Sequence, residues 1–502
     1  MELGAGLLSV FSVLILGALR AGVAQELQSP PNRIAIVGAG IGGSSAAYFL
    51  RQKFGKDVQI DVFEKGEVGG RLATLEIGGA EYEAGGSILH PLNLHMKTFV
   101  KELGLSVRMR SDGLGGIYNG EEFVFQESSW FIINFVKMLW YYGLNSLRMY
   151  TWVEDMLDKF ARIYSYQNLD YSFSTVERLL HSLGGDDFTT RLNTSIEETM
   201  LNSGFSVKYI NDIVYPAMGV DFGQGLKING FVGTLTLAGT HSGLWSVEGG
   251  NKRVCSGLIR ASDSKLISGA VTSVEEKSLP KHIGSGEHLY ELSYETSAGP
   301  QADLYDIVVM ATPLNKPVSN IRFLGFHPPI EIMSKVYHQT VATYVHGKIN
   351  GSFFGCPQPC QLELSDIITN NPKLFFSSIG AVSPVKATTE SEASQPTGLK
   401  VWKVFSPEPL TKDQLKLLFE SYEAVNERKW LAYPEYSPPE KMPPVILHDR
   451  IYYVNSIELA ASAMEMSAIS AKNVALLAHH RWYGKDGQID QQNLEERLKS
   501  EL

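Results

Sequence analysis

The sequence predicts an α/β protein: a helix-covered parallel sheet assembled from distant stretches of chain, with an α+β region inserted between them. Three observations predict it. A short apolar run, 33–37, leads into a glycine-rich turn, a helical stretch and a second apolar run, 58–63, the order of a strand–helix–strand unit. Further apolar runs return much later, at 306–310 and 451–454. Between them lie long aromatic-rich segments with helical or strand-like spacing. The 502 residues are 44% hydrophobic and 20% charged, which suits a large core and excludes a disordered chain, a collagen or a coiled-coil rod. The net charge of −10, spread without a long run, argues against holding a nucleic-acid backbone by charge. Three cysteines cannot form a disulfide scaffold.

The chain opens with an uncharged stretch, 3–19, followed by Arg20 and the small residues Ala21, Gly22, Val23 and Ala24. This predicts a signal peptide over residues 1–24, cleaved after Ala24. A membrane anchor is the alternative, but a span needs about 20 apolar residues. Asn193-Thr-Ser and Asn350-Gly-Ser are candidate glycosylation sites on a secretory route. The ending Lys499-Ser500-Glu501-Leu502 is close to a reticulum-retrieval signal but departs at Ser500; an ordinary helix end is the other reading. In an oxidising compartment Cys356 and Cys360 are candidates to pair, with Cys255 left as a buried free thiol.

The first strand ends in Gly38-Ala-Gly40-Ile-Gly42-Gly43, and a helix is expected from Ser44 to Lys53. Gly38 would permit the tight turn, Gly40 the close approach of a pyrophosphate, and Gly43 close helix–strand packing; the helix N-terminus then faces the anion. Glu64, 21 residues beyond Gly43, stands where an acid accepts ribose hydroxyl hydrogens. These features together predict a Rossmann-like dinucleotide site but do not choose between NAD and FAD.

The continuation chooses. Gly69-Gly70-Arg71 and Glu83-Ala-Gly85-Gly86-Ser87 resemble the extended FAD fingerprint of glutathione-reductase-like flavoproteins, in the amine-oxidase branch. The resemblance implies that Gly70 and Arg71 lie against the flavin nucleotide and that Gly86 runs beside the flavin. It extends to Glu248-Gly-Gly-Asn251 before a helix over 252–261, to a strand over 267–274 approaching adenine at Val271, and to the 306–313 strand and turn. Near the C-terminus, Glu458 matches an acid at the pyrophosphate or ribityl end, although many relatives have Asp there. A helix from about Ala463, including Met464, would point its N-terminus at the flavin ring. No cysteine lies near that segment, so the implied FAD is non-covalent.

Longer stretches narrow the resemblance. Gly69–Thr74, Gly85–Met96, Trp245–Lys252, Trp430–Pro434 and Ala460–Ala468 are similar to the prenylcysteine oxidase (prenylcysteine lyase) family, over about Asn32 to Leu502. The resemblance implies a FAD-dependent thioether oxidase that converts farnesyl- or geranylgeranyl-cysteine, O2 and water to prenyl aldehyde, cysteine and H2O2, in the breakdown of prenylated proteins. It also implies the lysosome as address; the secreted fluid and the reticulum are alternatives. The carbon between sulfur and the prenyl chain is allylic and beside a sulfur lone pair, so hydride loss there is stabilised on both sides, and FAD carries the redox step. His90 is a candidate base for the incoming water, or a polar contact near the flavin; a structural histidine or helix cap before Pro91 is the other reading. His95 and His479-His480 read as structural or surface groups, and no spacing suggests a metal site. The strand 340–346 lacks the central lysine that amine oxidases use, and Lys348 at its edge should meet solvent.

Trp130–Tyr142 is dense in large apolar groups at helical spacing, and a second helix over 150–164 follows. A helical cap packed on the sheet is the expectation for most of these side chains; a prenyl channel or an entrance on a lipid surface is the sharper one. Residues 32–90, 230–315 and 445–482 are expected to form the FAD-binding domain, 91–229 and 316–444 the substrate domain, and 483–502 a tail. Residues 386–398, rich in Ser, Thr, Glu and Ala, read as a surface loop. A paralogue of the oxidase-like kind, a flavin amine oxidase, and a non-catalytic prenyl or lipoprotein carrier are the competing functions.

Overall fold

The computed structural model describes residues 28–110, 113–240, 242–278, 288–331, 335–356, 362–386 and 399–501, with the side chains of 278, 288 and 498–501 set aside. The signal-peptide segment, Cys360 and nearly all of the 386–398 loop fall outside the described residues.

The Arg33–Val37 strand lies inside a six-stranded sheet, between Gln59–Glu64 and Ile307–Met310, parallel to both. Lys265–Ser268 continues the sheet beyond Gln59–Glu64; Ile451–Tyr453, then the antiparallel Ile446–His448, continue the other side. Ile34, Ala35, Ile36 and Val37 are all buried. Such unbroken apolar runs suit a parallel strand covered on both faces. On one face the Ile41–Phe54 and Met464–Trp482 helices pack together, with Ala46, Ala47, Ala468, Ala471 and Ala475 buried. Small side chains let the two backbones approach closely. On the other face Tyr290, Tyr294 and Tyr305 of a four-stranded sheet pack against Ala35, Val37, Val308 and Met310.

The expected 267–274 strand is two strands instead. Lys265–Ser268 belongs to the parallel sheet, and Ala270–Ser278 opens the four-stranded one. Gly269 makes the break: its N–H turns to the Glu64 carbonyl at 2.9 Å, leaving the residues on either side to different sheets.

A seven-stranded sheet runs in the order Phe419–Pro434, Tyr337–Ile349, Lys400–Ser406, Ser378–Ala381, Asp366–Thr369, Gly115–Tyr118, Phe123–Gln126. Helices from Asn145–Asn168 to Gly230–Leu237 pack on one another, and the Tyr215–Phe222 helix among them meets the Asp366–Thr369 strand of this sheet. Cys255 is buried and free, and burial pushes its thiol up to about 12. Lys348 is exposed and pairs with Glu420, in line with its expected edge position.

The Phe131–Tyr142 helix forms where expected, but its burial does not. Only Tyr142 is buried. Trp130 is 70% exposed, Phe131 80% and Trp140 86%, with Ile132, Val136 and Tyr141 also exposed. The packed-cap expectation is therefore corrected. Apolar side chains surround this helix, so no polar face selects a solvent side, and its one charge, Lys137, is tied back to the Gln126 carbonyl at 3.0 Å. The helix after it, Asn145–Asn168, is longer than expected and buries a regular stripe of Met149, Val153, Met156, Phe160 and Ile163. Among the described residues no helix is long and apolar enough to cross a membrane.

Candidate cofactor and substrate site

The glycines after the first strand differ in what they permit. Gly38 has φ +109°, and a Cβ there would stand 2.6 Å from the Ala311 carbonyl oxygen, so only glycine makes the turn. A Cβ at Gly43 would lie 1.9 Å from the Gly38 carbonyl oxygen. Gly40 is open: a Cβ would meet nothing nearer than the Gly69 carbonyl at 3.7 Å, leaving its face free for a ligand. Gly40 and Gly69 form an isolated parallel bridge, and Gly70 turns at φ +58° beside Gly40. The two glycine turns thus meet edge to edge.

Both long helices start at this place without a side-chain cap. Gly40 precedes Ile41–Phe54, and the exposed Ala463 precedes Met464–Trp482. Uncapped helix N-termini offer N–H groups and a positive dipole end to an anion. Glu64 accepts the Ala39 N–H at 2.9 Å and the Gly66 N–H at 2.8 Å, which fixes its carboxylate at the end of the second strand. Each oxygen retains a lone pair for a further donor.

Arg71 and Glu458 make the central ion pair. Glu458 is buried, and besides Arg71 it accepts from the Tyr337 hydroxyl at 2.7 Å and from Asn455 Nδ2 at 2.7 Å. Arg71 also donates to the Ala432 carbonyl at 2.7 Å. Burial opposes the guanidinium charge, but the Glu458 carboxylate outweighs it and holds the pKa above the ordinary arginine value. Arg71 is nevertheless 33% exposed, so part of it faces open space. Behind it Gly85 packs so tightly that a Cβ would lie 1.9 Å from the Arg71 carbonyl oxygen. At Gly86 a Cβ would meet Leu72 at 2.9 Å and Met464 at 3.6 Å, so Gly86 and Met464 are neighbours. Trp430 Nε1 donates to the Ala84 carbonyl at 3.0 Å, joining the long 419–434 strand to this loop.

Val271 lies at a bulge where the register with His288–Thr296 shifts, and it packs beside the core containing Phe63. His90 shapes a turn: its Nδ1 accepts the Leu92 N–H at 3.1 Å, its N–H goes to Asn93 Oδ1 at 2.7 Å, and its carbonyl accepts Trp245 Nε1 at 3.1 Å. His95 and His480 are buried, and burial holds both near 4. Asn193 is exposed at a helix end. Asn350 is committed on both amide atoms, to the Leu417 carbonyl at 2.9 Å and the Ser352 N–H at 3.2 Å. Among the described residues no metal-binding cluster occurs. Tyr337 and Asn455 had no signal in the sequence; Tyr337 stands 121 residues from the carboxylate it holds.

The residues present fit FAD. The open Gly40 face between two uncapped helix N-termini suits a pyrophosphate, Glu64 suits a ribose, and the Gly85–Gly86 loop with Arg71 and Met464 continues the cleft. Fold and site together define a FAD-binding oxidoreductase. Putrescine oxidase, in a structure bound to putrescine, superposes with a TM-score of 0.57 at 15% identity, covering 88% of this chain and 98% of that one. A putative protoporphyrinogen oxidase from Exiguobacterium gives 0.56 at 15%, covering 89% and 98%.

The sequence relatives are far nearer. Residues 36–103 match an NAD(P)-binding Rossmann-like domain and 125–491 match prenylcysteine lyase. Human prenylcysteine oxidase 1 is 57% identical over 95% of this chain and 94% of its own, and the bovine protein 54% over 100% and 98%. Human prenylcysteine oxidase 1-like is 44% identical over 97% and 98%. The chain belongs to the prenylcysteine lyase family.

Proposed function

We propose that this protein is a FAD-dependent thioether oxidase that releases cysteine and a prenyl aldehyde from farnesyl- or geranylgeranyl-cysteine, with O2 as electron acceptor. The observation that carries the reading is an unobstructed dinucleotide cradle in a chain that belongs throughout to the prenylcysteine lyase family. Bound there, FAD supplies a two-electron acceptor for the carbon that joins sulfur to the prenyl chain. The chain's own part is placement. Gly38, Gly40 and Gly43 admit the dinucleotide, Glu64 receives ribose hydroxyls, and the Arg71–Glu458 pair, locked by Tyr337 and Asn455, holds a fixed positive charge beside the cleft. Gly70, Gly86 and Met464 border the flavin, and Val271 the adenine. His90 serves the turn before Pro91 rather than proton transfer, since its Nδ1 already accepts a backbone N–H.

A peripheral lipid surface is the second element of this reading. The exposed Trp130, Phe131, Ile132 and Trp140, spread around this helix, make it an apolar, aromatic surface element of the kind that settles into a membrane or lipoprotein interface, where a prenylated substrate is concentrated. Entry through a cleaved signal peptide, a glycan at Asn193 or Asn350, and a lysosomal address complete it. Both amides donate to backbone carbonyls, Asn193 to Thr189 at 3.0 Å and Asn350 to Leu417 at 2.9 Å, so this contact favours neither sequon.

Peroxide release tests the function. The purified yellow protein is expected to produce H2O2 with S-farnesylcysteine and none with putrescine or benzylamine. Turnover of the amines alone would select amine oxidation, and a colourless protein that takes up no FAD would leave a carrier.

A further inference from the structure

Lys403 is the one buried lysine among the described residues. It lies in the Lys400–Ser406 strand, inside the seven-stranded sheet, directly across from Tyr344 on the neighbouring strand. Its Nζ stands 4.5 Å from the centre of the Phe405 ring and 5.6 Å from that of Tyr344. Among the described residues no hydrogen bond or ion pair ties the ammonium down. A cation taken out of water is costly, and ring faces offset only part of that cost. Glu83 is the acid whose charge acts on it.

The same face of the sheet lies against the loop that borders the flavin. The Tyr344 hydroxyl donates to the Glu83 carbonyl, and Trp430 Nε1, on the strand at the other side of Tyr344, donates to the Ala84 carbonyl at 3.0 Å. The Glu83 side chain is buried, and its Oε2 has no hydrogen-bond partner. Its Oε1 accepts the Asn251 N–H at 2.6 Å, and Asn251 Nδ2 donates to the Gly86 carbonyl at 3.0 Å. Asn251 Oδ1 is held in turn by the Val247 N–H at 2.9 Å. Glu83, Asn251 and Gly86 thus form one continuous chain of contacts. Two other cations act on Glu83, but both are engaged: Arg108 with Ser246 and the Pro384 carbonyl, Lys252 with Thr74. Lys403 is the cation left to balance the carboxylate. Burial opposes both charges, bringing Glu83 up to about 7 and Lys403 down to about 8, and each charge pulls the other back.

We propose that Lys403 is a positioning residue for the flavin: its buried charge steadies the Glu83 carboxylate, and Glu83, through Asn251, holds Gly86 in place beside the cofactor. A charged carboxylate holds a backbone N–H roughly twice as strongly as a neutral acceptor does, so a nearby cation tightens the Asn251 link without touching it. The inference rests on the FAD part of the functional reading and is independent of the substrate. Lys403 acts through Glu83 and takes no part in proton transfer.

The test measures FAD dissociation constants and flavin absorbance on the full-length protein, as wild type, Lys403→Met, Lys403→Arg, Glu83→Gln and the K403M/E83Q double variant. K403M is expected to weaken FAD at least fivefold and to shift the visible flavin band, and K403R, which keeps the charge, to recover part of both. E83Q is expected to weaken FAD by a similar factor. Introduced into E83Q, K403M should cost less than twofold, because no carboxylate is left to steady. A K403M protein that loses less than fivefold overturns the proposal, as does K403R behaving like K403M. An equal loss from K403M in both backgrounds overturns the route through Glu83. Should K403M fail to fold, E83Q decides: wild-type affinity and an unshifted band in E83Q overturn the proposal. A wild type that binds no FAD overturns the cofactor reading itself, whereas tight FAD binding indifferent to K403M overturns this inference alone.

Discussion

Acidification should change the stability of this protein little, because two sets of buried or half-buried groups oppose each other. Glu83 and Glu465 are buried, and burial raises both to about 7 from an ordinary 4.5. His95, His479 and His480 are lowered by burial to about 4 from 6.5. For a raised acid the folded state takes up the proton first, so its contribution is full below pH 4.5 and is lost as pH rises through 7. For a lowered histidine the unfolded state takes up the proton first, so stability present above pH 6.5 is lost as pH falls towards 4. Between pH 7.5 and 5 each acid adds, and each histidine removes, about 2 kcal/mol. The two acids together contribute about 4 kcal/mol and the three histidines remove about 6, so the net change is a loss of about 2 kcal/mol. Urea unfolding of the FAD-loaded protein at pH 7.5, 6 and 5 reads this directly. Glu465→Gln removes one titrating acid while Gln can still accept from the His95 or Met96 N–H. The variant should lose about 2 kcal/mol more than wild type on going from pH 7.5 to 5. A wild type that loses over about 4 kcal/mol in that interval, or an E465Q variant with an unchanged pH slope, would refute the opposing-proton account.

Four further outcomes are expected. Glu458→Ala leaves the partly exposed Arg71 without its partner and should cost about 3 kcal/mol and lower FAD affinity at least tenfold, read by melting and flavin titration; retention of both would remove the pair from the site. Gly43→Ala, whose Cβ would overlap the Gly38 carbonyl, should yield colourless protein, whereas Gly487→Ala, which meets nothing within 4 Å, should stay yellow. Phe131→Asp with Trp140→Asp should abolish co-flotation with liposomes while sparing oxidation of detergent-dispersed substrate; unchanged flotation would discard the lipid face. His90→Ala should retain single-turnover flavin reduction and lose about 1 kcal/mol of stability with its turn, and a large loss of reduction rate would restore it as a catalytic group.

Much of the cofactor site was written in local order. The apolar runs at 33–37, 306–310 and 451–454 became adjacent parallel strands because each is buried on both faces and needs strand partners there. Gly38, Gly40 and Gly43 were readable because a positive φ, an open face and a close helix contact are each demands on a single position. The Phe131–Tyr142 helix was readable as a helix, since periodicity and propensity are local. Its exposure was not, because apolar residues around the whole circumference give no direction for burial.

What the amino-acid order determined, then, is the set of strands and helices, the glycine turns and the family to which the chain belongs. The tertiary structure alone decided that Tyr337 and Asn455 lock Glu458 against Arg71 and that Gly269 divides one apolar run between two sheets. The physical reason is range. Turns, helices and strands follow from forces acting over a few residues, whereas desolvation and charge pairing depend on which groups meet after hundreds of intervening residues have packed.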